Sequence, residues 1–321
     1  MVLDNWFQHT GEGYMSSEAS ARTQAGLKAL LDRRAREIKA NIDVVLKWRP
    51  GWKDGAEIAL LVSTLPLYYL VRGVTNSENH VNAAVGRGVD IINIEKSLGI
   101  FWEVQLQSWA LHYDWLVSFL NAFYLYGHLP VIGALAVWMY FWHRPQYLVM
   151  RNAFLVSGAI ALIFYVNFPT APPRLLPESY HFGFVDTIMR EYKTSRPDTP
   201  SWFVNEYAAF PSMHIGWNLL VGISIWLSTR NVFMRTFAVL MPFTMFCVII
   251  LTGNHYLIDA VAGVIVMLVG LGIAFGGKAL IQRIISPDSK TAREKGWVSW
   301  VYWLFGVPEN RGAGRRTSQP A

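Results

Sequence analysis

His255 and Asp259 stand four residues apart in GNHYLID, residues 253–259. On a helix that begins at or before His255, this spacing puts both side chains on one face. A carboxylate there accepts the proton of one imidazole nitrogen, fixes the tautomer and leaves the other nitrogen as a nucleophile. A second histidine, His214, closes PSMH, residues 211–214. Pro211 suits a first helical turn, and the free N–H groups of a helix start attract an anion. Ser212 can donate its hydroxyl to a phosphate oxygen. A protonated His214 can serve as general acid to a leaving oxygen. The third cluster is APPR, residues 171–174, where Arg174 offers a planar fork matched to phosphate. Asn254, beside His255, is counted with Arg174 and Ser212 as phosphate-binding. Each residue alone has a structural explanation: a helix-face hydrogen bond, a capped helix with a surface histidine, a solvated loop arginine. Together they supply a nucleophile, an orienting acid, a proton donor and an anion cradle, which is the equipment of phosphoryl transfer. His214 and His255 are then expected to face each other across a gap of phosphate size, near Arg174.

The elements that must position these residues are membrane helices. Of 321 residues, 53% are hydrophobic and 16% charged, against about a quarter charged in soluble domains. Fourteen Trp and fourteen Tyr fit membrane–water interfaces. Apolar runs at about 55–72, 115–142, 147–168, 212–229, 234–252 and 256–276 predict an all-α, six-span bundle over residues 55–276. Pro130 predicts a kink or break in the second run. Residues 80–112 mix apolar and charged side chains and predict short interfacial helices. Residues 1–20 and the end of the basic tail at 277–321 are expected to be disordered. Residues 21–54 hold an amphipathic helix over about 21–48, with Leu27, Leu30, Leu31, Ile38, Ile42 and Val45 at helical spacing. It would lie on an anionic membrane surface or pack on its own membrane domain.

Charge sets the expected orientation. With the N-terminus cytoplasmic, 21 of the 28 Lys and Arg residues fall on the inner side, and the short turns RPQYLVMR and STRNVFMR are both basic. The net charge of +6 is thereby read as a topology signal, and no nucleic-acid partner is implied. No secretory signal peptide is apparent in residues 1–20, and the first span would drive insertion. Both termini are expected in the cytoplasm of a multi-pass plasma-membrane protein. All three clusters then lie at one extracytoplasmic depth. The single cysteine, Cys247, excludes an internal disulfide and a cysteine-based metal site.

APPR, AAFPSMHIGW (208–217) and GNHYLIDAVAG (253–263), in that order, resemble the type 2 phosphatidic acid phosphatase superfamily, most closely its inositol phosphorylceramide synthase-like branch. The resemblance covers about residues 55–276. It implies six helices and a metal-independent, cofactor-free mechanism on a lipid phosphate ester or diphosphate. His255 would attack phosphorus to give a phosphohistidine, oriented by Asp259. His214 would protonate the leaving alcohol and later assist the incoming water or hydroxyl. Arg174 and Ser212 would hold the phosphate oxygens. The chain departs from the commoner pattern at Met213, where glycine is usual, and at Ile249, where arginine is usual. The lysine that usually precedes the first arginine is missing from YVNFPT, residues 165–170. Arg151, Arg190, Lys193 and Arg196 are the candidate replacements, and the departures favour the transferase branch.

Tyr124 and His128, one turn apart in the second run, would line the site or a lipid path, or form a satisfied buried pair. Glu95 and Glu103 are expected to form interfacial salt bridges with Lys96 or Arg87. His181 and Asp186 are candidates for a lid. The competing class is a lipid transporter, scramblase or scaffold that uses Arg174 without chemistry.

Overall fold

The computed structural model describes residues 17–64, 66, 78–192, 207–285 and 296–307. Much of the first apolar run, most of residues 1–20, the end of the tail, and Lys193 and Arg196 lie outside the described residues. Two compact units divide at Arg49 and Pro50.

The first unit contains α1 (Ser17–Leu46). Its i,i+4 pairs Arg33–Glu37 (3.0 Å) and Asp43–Lys47 (2.8 Å) support the helix. Leu27, Leu30, Leu31, Ile38 and Ile42 are each more than half exposed. The amphipathic stretch stops short of residue 54, because Pro50 lacks an N–H and Gly51 adopts extended backbone.

In the second unit, α2 (Trp52–Val62) is followed by α3 (Glu78–Ser97) and α4 (Glu103–Ala110), where short helices are expected. Four described helices are long and apolar enough to cross a membrane: α5 (Asp114–Trp142), α6 (Arg144–Asn167), α9 (Val232–Leu251) and α10 (Leu257–Ile284). Between them lie the short α7 (Thr187–Tyr192) and the 16-residue apolar α8 (Met213–Ser228), which rises about 24 Å. The last described element is α11 (Gly296–Phe305). The described residues are otherwise loops and short 3₁₀ turns, with no strand among them.

Pro130 does not break α5. The helix widens into a π turn over Phe123–Gly127, just ahead of it. A proline ring clashes with the carbonyl four residues earlier, and a wider turn relieves that clash.

The core forms where α5, α6, α8, α9 and α10 bring Leu135, Met139, Leu220, Ile225, Met241 and Met267 together. Small residues let the backbones approach. A Cβ on Gly216 would stand 2.7 Å from the Gly263 carbonyl oxygen, and one on Gly263 would overlap the Ser212 carbonyl. The α8–α10 crossing therefore brings the start of α8, with His214, against the start of α10.

At the other end of α6, Arg151 and Glu57 form a buried ion pair of 2.8 Å. Tyr147 and the Trp303 indole also donate to Glu57, and Arg151 donates to the carbonyls of Trp303 and Leu304. This network ties α2, α6 and α11 together. The tail beyond residue 276 thus contains the last two turns of α10 and a docked helix.

Candidate active site

The turn between α9 and α10 is built around Gly253, whose φ of 67° ends α9 in the left-handed region. A side chain there would also meet the Gln107 amide nitrogen at 2.8 Å. The N–H groups of Asn254 and His255 both return to the Ile249 carbonyl, at 3.0 and 3.1 Å. His255 thus precedes α10 instead of lying on it. The proximity to Asp259, in the first turn of α10, comes from this turn.

That geometry gives the His255 Nδ1 a main-chain acceptor in addition to the expected Asp259. Its Nδ1 lies 2.9 Å from the Ala209 carbonyl and 3.4 Å from Asp259 Oδ2. A carbonyl only accepts, so Nδ1 carries the hydrogen and Nε2 keeps its lone pair. Asp259 Oδ2 is already engaged, 3.0 Å from the donating Tyr256 N–H, and Oδ1 is buried without a partner among the described residues. The carboxylate is therefore the longer of the two contacts. Ala209 is held in place by a strap: Thr170 donates to the Tyr207 carbonyl (2.8 Å) and the Ala209 N–H donates to the Thr170 carbonyl (3.2 Å).

His255 Nε2 faces His214 Nδ1 at 3.2 Å. The two imidazoles do face each other, but at hydrogen-bond distance. No phosphoryl group fits between them in this arrangement, where a gap of phosphate size is expected. His214 sits in the first turn of α8, its ring stacked on Tyr124 (4.6 Å between centroids) and 4.9 Å from the His128 ring. The Asn218 amide donates to the His214 carbonyl (2.6 Å) and contacts His128 Nδ1 (2.7 Å). Tyr124 and His128 therefore line the site, brought there by the π turn. Asn218 carries no signal of its own in the sequence.

Arg174 is buried, and its backbone N–H donates to the Gly253 carbonyl at 2.9 Å. Its Nε donates to Asn254 Oδ1 (2.8 Å) and its Nη1 to Asp186 Oδ2 (2.9 Å). Asn254 in turn donates to Thr252 Oγ1 (2.6 Å), so it orients Arg174. Asp186 is placed from both sides: Gln107 brackets Val185 with bonds of 2.9 and 3.0 Å, and Asn121 and Thr187 bond each other. Ser212 is fully buried, and its hydroxyl has no partner among the described residues.

The two candidate replacement cations among the described residues are elsewhere, while Lys193 and Arg196 lie outside the described residues. Arg151 belongs to the ion pair with Glu57, near the end of α6 remote from Arg174. Arg190 faces Asp114 at 3.5 Å on the surface. Nor do Glu95 and Glu103 form the expected salt bridges. Lys96 lies over the rings of Phe101 and Phe182, and Arg87 over that of Phe168. Both glutamates are fully buried and reach the start of α10, where Glu103 accepts from the Leu257 N–H and Glu95 from the Ile258 N–H, each at 2.9 Å. Burial first, and then the Glu103 carboxyl beside it, push the Glu95 carboxyl up to about 9.

Comparison with curated proteins and with solved structures returns no significant match. The profile of the PAP2 superfamily matches residues 89–273, a stretch that contains Arg174, Ser212, His214, His255 and Asp259. Members of that superfamily are generally phosphatases or phosphotransferases, which supports an enzyme of lipid-phosphatase type. With more than half its length matched and four helices able to span a bilayer, the chain is a membrane protein that belongs to the PAP2 superfamily.

Proposed function

We propose that the chain is a membrane-embedded, metal-independent lipid phosphatase or phosphotransferase that works through a phosphohistidine on His255. The observation that carries this reading is the 3.2 Å approach of the His255 Nε2 lone pair to His214 Nδ1. A base and an acid sit edge to edge beside an arginine and an unpartnered hydroxyl. His255 Nε2 attacks phosphorus as the bond to the leaving alcohol breaks, and His214 gives that oxygen a proton. His214 then takes a proton from water or an acceptor hydroxyl, whose oxygen displaces Nε2. The Ala209 carbonyl and Asp259 stabilise the charge that the His255 ring develops while phosphorylated. Water gives a phosphatase, and a lipid hydroxyl gives a transferase of the inositol phosphorylceramide synthase-like kind. Six spans complete the reading: the four long helices, α8, and the run at about 55–72. The basic inner turns support a site on the extracytoplasmic face of the plasma membrane.

The test is turnover by purified protein in detergent with a chelator present. Phosphatidic acid, a prenyl diphosphate, and phosphatidylinositol with a hydroxylated lipid acceptor are the substrates. Wild type is expected to turn over at least one of them. His214→Ala should lose about 10²- to 10⁴-fold in kcat, and His255→Ala on the order of 10⁴-fold or more. Full activity of His255→Ala would overturn the covalent mechanism and favour a transporter or scaffold. Loss of activity on chelation would overturn metal independence.

A further inference from the structure

Glu95 and Glu103 are two buried ionisable groups that the reaction above does not use. They come from different helices, α3 and α4, and converge on successive N–H groups of α10, those of Leu257 and Ile258. With Asp259 taking the Tyr256 N–H, three carboxylates saturate the start of the helix that follows His255. Each glutamate uses only Oε1 in this way. Both Oε2 atoms are buried without a donor from any described residue. Because their Oε1 atoms accept from adjacent N–H groups of one helical turn, the two carboxyl groups lie side by side in a buried site. Two carboxylates cannot hydrogen-bond each other unless one brings a proton, and a buried oxygen without a donor is costly.

We propose that Glu95 and Glu103 share one proton, and that this carboxyl–carboxylate clamp positions the first turn of α10, and with it His255 and Asp259, for reaction. The positioning role rests on the phosphohistidine reading, while the shared proton does not. The titratable groups that face Glu95 are Glu103 from α4, Asp259 from α10 and Tyr256 from the preceding turn. None of them is a cation. Removing the proton places a second charge beside Glu103, opens the pair and frees the start of α10. Loss of that proton, at about 9, is therefore an alkaline limit on activity.

Glu95→Gln is the discriminating variant. Its amide oxygen can still accept from the Ile258 N–H, and its amide nitrogen can donate to Glu103 without a titrating proton. In full-length protein, wild-type kcat is expected to fall through an apparent pKa of about 9 with KM little changed. In Glu95→Gln that limb should move up by at least about one pH unit or vanish. A second measurement does not depend on turnover. Glu95 holds its proton in the folded chain up to about 9 but in the unfolded chain only to about 4.5, so the proton's stabilisation drains away as pH rises between the two. Wild-type Tm should therefore fall more steeply across this window than that of Glu95→Gln. Superimposable activity profiles would overturn the positioning role, and parallel Tm curves would overturn the shared proton. If wild type turns over no offered lipid, the phosphohistidine reading falls, and the Tm curves alone decide the clamp.

Discussion

At the scale of single residues, the site is set by which oxygen each polar hydrogen finds. His255 Nδ1 has two acceptors, Asp259 and a main-chain carbonyl that no side-chain substitution removes. Arg174 is the cation of the cradle among the described residues, and its charge is already half committed. Its fork is shared between Asn254, which is neutral, and Asp186, which is not. A phosphate held by Arg174, as proposed, would compete with the Asp186 carboxylate for Nη1. Asp186→Asn keeps an oxygen able to cap α7, where Oδ1 now accepts from Ile188 and Met189, but removes the charge. The expected outcome is a KM for an anionic lipid about 3- to 10-fold lower, equivalent to ~1 kcal/mol, with inorganic phosphate inhibiting at lower concentration. Steady-state kinetics on the turned-over substrate decide it; an unchanged or higher KM would show that Asp186 serves mainly to aim Arg174.

Among the helices, the decisive contact is the crossing of α8 and α10. His214 and His255 stand on different elements, and their 3.2 Å approach depends on how closely those elements pack. Gly263 has no room for a methyl group, which would overlap the Ser212 carbonyl at the very start of α8. Gly263→Ala must therefore push α8 away, with an expected loss of about 1–3 kcal/mol or more in stability. The same displacement separates the two imidazoles, so activity should fall further than stability does. Gly272, in the same helix, has open space around it. Gly272→Ala should be neutral or raise Tm slightly, since alanine is the better helix former. Equal effects at the two positions in a thermal-shift assay would refute the account of the crossing.

For the molecule as a whole, orientation in the membrane decides which compartment the site serves. The Arg151–Glu57 network and the imidazole pair mark opposite ends of the bundle, joined by α6, which rises about 36 Å over its 24 residues. The proposed topology, drawn from the charge distribution, puts the first end in the cytoplasm. A chain with Cys247→Ser allows a single new thiol to report on this. Phe233 is 85% exposed in the first turn of α9, next to the α8–α9 connection, and His181 is exposed in the loop beyond α6. In intact cells an impermeant thiol reagent should label His181→Cys directly and Phe233→Cys only after permeabilisation. The reverse pattern would invert the proposed topology and place the site in the cytoplasm.

The amino-acid sequence by itself determined the long helices and the residue types of the site. Hydrophobic run length and basic turns are local properties, legible wherever a stretch of about 20 apolar residues must satisfy its own backbone in lipid. Arg174, Ser212, His214, His255 and Asp259 were legible because their side chains advertise their chemistry. The tertiary structure alone decided how those residues are wired. The Ala209 carbonyl was invisible because every residue has one. The gap between the histidines was invisible because it depends on two glycines in different helices. Glu95 and Glu103 looked like interface charges because the amides they cap lie more than 150 residues further along the chain. Local patterns state what a segment can be, but a buried polar atom is satisfied by whatever folding brings to it.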